Sequence, residues 1–189
     1  MRIAIDIDST LHHYWDQLAG VARRRFGVDL AYAEQVTWGI TQLRPEQIQA
    51  CVTETHTERS VLAAEPYPGA VEALAAWHAA GHFIHITSHR APEARDATAR
   101  WLEQVGLAHD ELYCSWDKVS RCAEIGIDLL VDDSPVNLIA AAERGIRAAT
   151  LLHPWNRDVC EEEDVICAED WPGLRAGLAH LLEAGRASA

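Results

Sequence analysis

Asp6 and Asp8 follow the apolar run Ile3, Ala4, Ile5, and Ser9 and Thr10 come directly after them. Thr87 and Ser88 close a second apolar run, Lys118 opens a helical stretch, and Asp132 and Asp133 close the run Leu129, Leu130, Val131. Carboxylates gathered in one place repel each other unless a cation lies among them. An all-oxygen donor set selects a hard ion such as magnesium. Asp6, Asp132 and the Asp8 backbone carbonyl are the expected protein ligands. An aspartate beside such an ion can attack phosphorus and carry the phosphoryl group. Asp8 lies on the same side of an ideal pleat as Asp6 and is the expected acid and base toward the leaving oxygen and the incoming water. Thr87 and Lys118 would hold the equatorial phosphate oxygens and offset their charge. Each piece alone is common at turns and helix starts; the set, in order and at strand ends, is what points to chemistry.

These residues meet only if the apolar runs are neighbouring strands. Hydrophobic periodicity and breakers predict strands over 3–7, 82–87, 112–114, 128–131 and 148–152, with a last short one over 165–167. Helices are predicted over 14–26, 45–58, 70–80, 92–105, 118–125, 135–144 and 171–182, several of them stopped by glycine. Regular alternation of strand and helix argues for a parallel sheet covered on both faces through right-handed crossovers. In such sheets ligands bind beyond the carboxyl ends of the strands, where the residues above are placed. The segment 14–66 departs from the pattern: it holds helices and no convincing strand, and the breaker cluster Glu65, Pro66, Tyr67, Pro68, Gly69 ends it. It reads as a helical insertion, residues 14–66, in a core made of 1–13 and 67–189.

The chain has 189 residues, enough for one core with a modest insertion. Its 29 Asp and Glu against 16 Lys and Arg give a net charge of −13, which argues against nucleic-acid polymers and anionic membranes as partners. A small phosphorylated substrate remains compatible if a metal and a few basic groups help locally. The five cysteines are odd in number and form no CxxC pair, which argues for free thiols in a reducing, cytoplasmic setting. No secretory signal or membrane-length apolar stretch is expected. The acidic run Glu161 to Asp164 reads as a solvated turn. No Gly-rich phosphate loop and no HExxH spacing occur, which argues against a kinase or a zinc protease.

As a set, Asp6-Ile7-Asp8-Ser9-Thr10, Ile86-Thr87-Ser88, Lys118 and Leu129-Leu130-Val131-Asp132-Asp133 resemble the four motifs of the haloacid dehalogenase superfamily of phosphatases. The resemblance implies an α/β fold, a Rossmann-like parallel sheet of order 5-4-1-2-3 flanked by helices, with a small helical C1-type cap. It implies Asp6 as nucleophile, Asp8 as general acid and base, magnesium held around Asp6, Asp8 and Asp132, and Asp133 as a further partner of the metal or its water. Position 9 is Ser where many members have Gly, a change that ordinary backbone angles would tolerate. The small insertion, the Tyr67-Pro68-Gly69-Ala70 return, Asp132-Asp133-Ser134-Pro135 and His153-Pro154-Trp155-Asn156-Arg157 resemble the 5′(3′)-deoxyribonucleotidase branch. A nucleotidase is the activity this implies; another small phosphomonoester, such as a sugar or amino-acid phosphate, is the alternative.

Candidate substrate contacts are Thr87, Ser88 and Lys118, with Arg90 as a phosphate binder or a solvated helix-start residue. Trp38 would stack on a base or pack inside the insertion. Trp155 and Arg157 would face the leaving group or phosphate, or be a packed aromatic and a surface arginine. His12 and His13 read as hinge residues; His82 and His85 read as satisfied core histidines. A receiver-like signalling domain shares clustered acids, a hydroxyl and a lysine, but the DxD spacing and the insertion favour a hydrolase. An inactive binding protein of the same fold would have no reason to keep all these groups.

Overall fold

Arg2–Ile5 forms β1, and its pleat sends Ile3 and Ile5 to one face of the sheet and Ala4 to the other. The computed structural model of the chain describes residues 1–162 and 164–187. The further strands are β2 (Phe83–Ser88), β3 (Glu111–Cys114), β4 (Leu129–Val131), β5 (Arg147–Leu151) and β6 (Val165–Ala168). All pair in parallel in the order β3-β2-β1-β4-β5-β6. This is the expected 5-4-1-2-3 order read from the other edge, with β6 added outside β5. In the register Ile5 lies opposite Ile86 on one side and Val131 on the other. The next residues along these strands, Asp6, Thr87 and Asp132, therefore stand at one level.

Between β1 and β2 the chain forms α1 (Tyr14–Phe26), a short 3₁₀ turn (Tyr32–Glu34), α2 (Pro45–Thr55), α3 (Glu58–Leu62) and α4 (Ala70–Ala79). α5 (Arg95–Val105) follows β2, α6 (Lys118–Glu124) follows β3, α7 (Pro135–Ala142) follows β4, α8 (Arg157–Glu162) follows β5, and α9 (Trp171–Ala187) follows β6. Leu74 and Trp77 of α4, Trp101 and Leu102 of α5, and Leu174 and Leu178 of α9 bury one sheet face with Ile3, Ile5, Ile84 and Ile86. Val119 and Cys122 of α6 and Ala141 of α7 cover Ala4 and Leu130 on the other. Two apolar layers of this kind supply most of the driving force that keeps the strand ends in register.

The insertion has a hydrophobic cluster of its own, in which Trp15, Leu18, Val21 and Ala22 of α1 meet Leu30, Leu43 and Cys51, with Trp155 joining from after β5. The expected single helix over 45–58 is divided between α2 and α3. The reason is local: Thr57 and Ser60 hydroxyls both donate to the Glu54 carbonyl at 2.9 Å and satisfy it in place of a helical N–H. α3 then packs on α5, Val61 and Ala64 enter the main core, and Trp101 Nε1 donates to the Ala64 carbonyl at 2.8 Å. Gly69 opens α4 with φ of 87°, and a Cβ there would stand 2.9 Å from Pro172 Cδ, so the return to the core requires glycine.

Two expectations are corrected around α8. The residues 157–162 are helical, so the acidic run begins inside a helix; Glu163 lies outside the described residues. Cys160 and Cys167 form a disulfide across Cα atoms 6.2 Å apart, where free thiols were expected. Cysteine parity and spacing do not report that α8 and β6 fold back on each other. Cys51, Cys114 and Cys122 are free.

Candidate active site

Asp6 continues the β1 line, its N–H donating to the Val131 carbonyl at 2.9 Å, which sets it beside the residue that ends β4. Asp132 in turn donates its N–H to the Ala149 carbonyl at 3.1 Å. Lys118 enters from the first turn of α6, whose start is capped by Asp117 accepting from the Ser120 N–H. Its ammonium is buried and lies 2.6 Å from Asp6 Oδ1 and 2.6 Å from Asp132 Oδ2. The other Asp132 oxygen accepts from the Ser134 N–H at 2.9 Å and from Asn137 Nδ2 at 3.1 Å, both at the start of α7. Carboxylate oxygens of Asp6, Asp132 and Asp133 lie within 4.8 Å of one another.

Three buried carboxylates cluster where one ammonium pairs with two of them, and the proton affinities of Asp6 and Asp133 show the imbalance. Burial pushes the Asp6 carboxyl up to about 7, with Lys118 opposing and Asp132 and Asp8 adding to the rise. Burial, followed by the charges of Asp6 and Asp132, holds Asp133 well above the usual carboxylate range. Lys118 is raised by Asp132 and Asp6 against the effect of burial. Excess buried negative charge with oxygen donors only is what a hard divalent cation relieves, so the residues present fit such an ion.

The Asp8 side chain is turned to other partners. Burial would raise its pKa, but Arg90, His12 and His56 together hold it well below the usual range. Arg90 Nη2 donates to Asp8 Oδ1 at 2.6 Å, His12 Nε2 lies 2.9 Å from the same oxygen, and His56 Nε2 lies 3.4 Å from Oδ2. Thr87 is fully buried at the end of β2, and its hydroxyl finds no hydrogen-bond partner among the described residues. Ser88 is also buried, and its hydroxyl accepts from the Arg90 N–H at 3.2 Å.

A cleft of about 220 Å³ is lined by Asp6, Asp8, Lys118, Asp132 and Asp133, together with Trp38, Tyr14, Val52 and His56 of the insertion. His89 and Trp116 line it from the core, their rings stacked with centroids 6.0 Å apart. Of the sequence candidates, Trp38 reaches this cleft. Trp155 does not: it is buried, stacked on His153, and donates Nε1 to the Asp133 carbonyl. Arg157 lines a separate cavity of about 630 Å³ with Trp15, Tyr32, Tyr67 and Trp171. Arg90 is buried against Asp8. Tyr14, His56, His89 and Trp116 were not among the candidate contacts; His89 and Trp116 carried a signal, their place just beyond the ends of β2 and β3. His85 is a buried core histidine beside Glu111, as its strand position suggested.

Ser9 corrects a further expectation. Its φ is 62°, the left-handed region, so its backbone is not ordinary. His12 and His13 lie where the insertion leaves and rejoins the core: His12 forms a β-bridge with Pro66 on the returning chain, and His13 packs on Tyr67 with ring centroids 4.0 Å apart.

The chain resembles known proteins over nearly its whole length. A Chlorobaculum tepidum protein named "Putative 5′(3′)-deoxyribonucleotidase" is 24% identical over 172 residues, covering 84% of this chain and 82% of the relative. Among solved structures, a HAD family hydrolase from Deinococcus radiodurans with bound phosphate and sodium superposes with a TM-score of 0.68 at 19% identity, covering 98% of this chain and 96% of that one. A HAD hydrolase of family IA from Entamoeba histolytica gives a TM-score of 0.68 at 11% identity over 96% and 99% of the two chains. At these identities the superpositions establish the fold. Residues 1–176 match the profile described as 5′ nucleotidase, deoxy (Pyrimidine), cytosolic type C protein, and the chain is therefore a HAD-type phosphatase belonging to that nucleotidase family.

Proposed function

We propose that the protein is a magnesium-dependent phosphomonoester hydrolase that acts through an aspartyl-phosphate on Asp6, with a 5′-nucleotide or deoxynucleotide as substrate. The observation that carries the reading is the buried trio of Asp6, Asp132 and Asp133, two of which pair with one ammonium. Asp6, Asp132, Asp133 and the Asp8 carbonyl would hold the metal, which supplies charge neutralisation to the carboxylates and to phosphate oxygens. An Asp6 oxygen attacks phosphorus and the ester P–O bond breaks; Asp8, ionised in the free protein, takes up a proton once the negative charge of the bound phosphate offsets Arg90, and gives it to the leaving oxygen. Water then gives a proton to Asp8 and attacks phosphorus, and the bond to Asp6 breaks with its electrons returning to the carboxylate. Lys118 and the partnerless Thr87 hydroxyl hold the phosphoryl oxygens. The leaving group lies toward Trp38, His89 and Trp116, under the insertion 14–66 acting as a cap.

The test is a phosphate-release screen over nucleotides, deoxynucleotides and sugar phosphates, with and without magnesium. Metal-dependent release that favours nucleotides is expected, and Asp6→Asn should abolish it while leaving the fold intact. Full turnover by that variant, or equal release in the presence of a chelator, would overturn the mechanism; preference for sugar phosphates would overturn the substrate.

A further inference from the structure

Arg90 was a candidate phosphate ligand, yet its guanidinium is buried and is not among the groups lining the cleft. Nη2 donates to Asp8 Oδ1 at 2.6 Å and Nε to Asp8 Oδ2 at 3.3 Å, so both carboxylate oxygens are engaged by one planar fork. The third edge is also held: Nη1 donates to Thr98 Oγ1 at 3.2 Å, and the Thr98 hydroxyl donates to the Ala94 carbonyl at 2.8 Å. At the base of the side chain, the Arg90 N–H donates to Ser88 Oγ at 3.2 Å. His12 completes the group, its Nε2 lying 2.9 Å from Asp8 Oδ1 and 3.1 Å from Arg90 Nη2.

We propose that Arg90 is the positioning residue of Asp8, fixing the carboxylate plane so that one lone pair addresses the leaving oxygen and the incoming water. The proposal rests on the reading of Asp8 as the proton-transfer group. A buried ion pair is a poor device for stability, because its desolvation offsets its attraction. It is a good device for orientation, because a two-point fork removes the rotation of a carboxylate about its last bond. The grip also belongs wholly to the core: Arg90 follows β2, and Thr98 lies on α5. From the insertion, His56 at the end of α2 lies 3.4 Å from Asp8 Oδ2. The two-point contact to Asp8 is thus made by groups of the core alone. In the first half-reaction Asp8, protonated once the charge of the bound phosphate offsets Arg90, gives its proton to the ester oxygen as the P–O bond breaks; in the second a proton passes from water back to Asp8. Neither transfer uses a proton of Arg90.

The test compares kcat/KM, which reports events up to departure of the leaving group, for an alkyl phosphate and for p-nitrophenyl phosphate, with magnesium present. The aryl ester releases a phenolate that is stable without a proton; the alkyl ester needs one. Arg90→Met should lose at least about tenfold more on the alkyl ester than on the aryl ester, since general acid catalysis contributes factors of about a hundred or more. Arg90→Lys should fall between, and Thr98→Val should shift the ratio less in the same direction. The inhibition constant of inorganic phosphate should stay within about twofold, as Arg90 does not touch that site. Equal losses on the two esters, or a phosphate constant that rises in Arg90→Lys, would overturn the proposal. Should Arg90→Met fail to fold, Arg90→Lys and Thr98→Val, which keep the buried cation, carry the comparison. Wild-type protein inert to every ester would refute the phosphatase reading instead. The orientation claim then stands on crystals of Arg90→Lys: Asp8 in more than one rotamer supports it, and a single unchanged rotamer sinks it.

Discussion

His153 Nε2 donates a hydrogen bond of 2.7 Å to the carbonyl of Ser9, the residue that turns the chain away from Asp6 and Asp8 with φ of 62°. The Tyr32 hydroxyl, from the insertion, donates to the other ring nitrogen at 2.7 Å and fixes the tautomer. A left-handed residue with a Cβ costs about 1–2 kcal/mol, and glycine returns about 0.5–1 kcal/mol of that through unfolded-state entropy. Ser9→Gly should therefore stabilise the protein by about 0.5–1 kcal/mol, measured as a small rise in urea midpoint. A β-branched residue there, as in Ser9→Val, should destabilise it.

His153 also sets a pH dependence. Burial pushes its pKa from the ordinary 6.5 down to about 4. Between these values the unfolded chain binds the proton and the folded one does not, so stability rises with pH across that window. The contribution is complete above about pH 6.5 and is lost as the pH falls toward 4, up to about 3 kcal/mol. Unfolding free energy measured by urea at several pH values should show this slope, and His153→Gln should flatten it.

Lys118 is the sole ammonium among the described residues within hydrogen-bond reach of both Asp6 and Asp132. Lys118→Met leaves the buried carboxylates without it and should cost about 3–5 kcal/mol in chelator. Magnesium should raise the wild-type melting temperature, by the equivalent of about 2.7 kcal/mol at a hundredfold excess over its dissociation constant, and should recover part of the Lys118→Met loss. Asp132→Asn should abolish the magnesium shift in thermal unfolding.

Trp116 is 68% exposed and Trp38 46% exposed, and both line the cleft. Large aromatics left in water beside a reactive site are suited to stack on a planar leaving group, a contact worth about 0.5–1.5 kcal/mol. Trp116→Ala should raise KM for nucleotides about fivefold and leave KM for sugar phosphates nearly unchanged. Steady-state kinetics on the two substrate classes reads this directly.

The Cys160 to Cys167 bridge spans a sequence separation of 7. Loop-closure entropy for so short a span gives about 2 kcal/mol. Reductant, or Cys167→Ser, should lower the unfolding free energy by up to that amount without changing turnover, since neither cysteine lines the cleft.

The gathering of Asp6, Thr87 and Asp132 at one sheet edge was readable from the chain because its signals are local. Apolar runs ending in Asp6, Thr87 and Asp132 mark strand ends, and a parallel sheet brings strand ends to one edge whatever the loops do. The glycines and breakers that closed each helix were equally local. Which way other side chains face depended on how the segments pack, near or far along the chain. The target of Arg90 is set by Asp8 and Thr98, the burial of Trp155 by Trp15 and His153, and the disulfide by the approach of α8 to β6. The left-handed turn at Ser9 follows from its environment too, since residue type alone argues against it. Residue types and their order thus determined which groups stand at the strand ends. The packing of distant segments decided which way each side chain faces, because a side chain's direction depends on neighbours that local sequence does not specify.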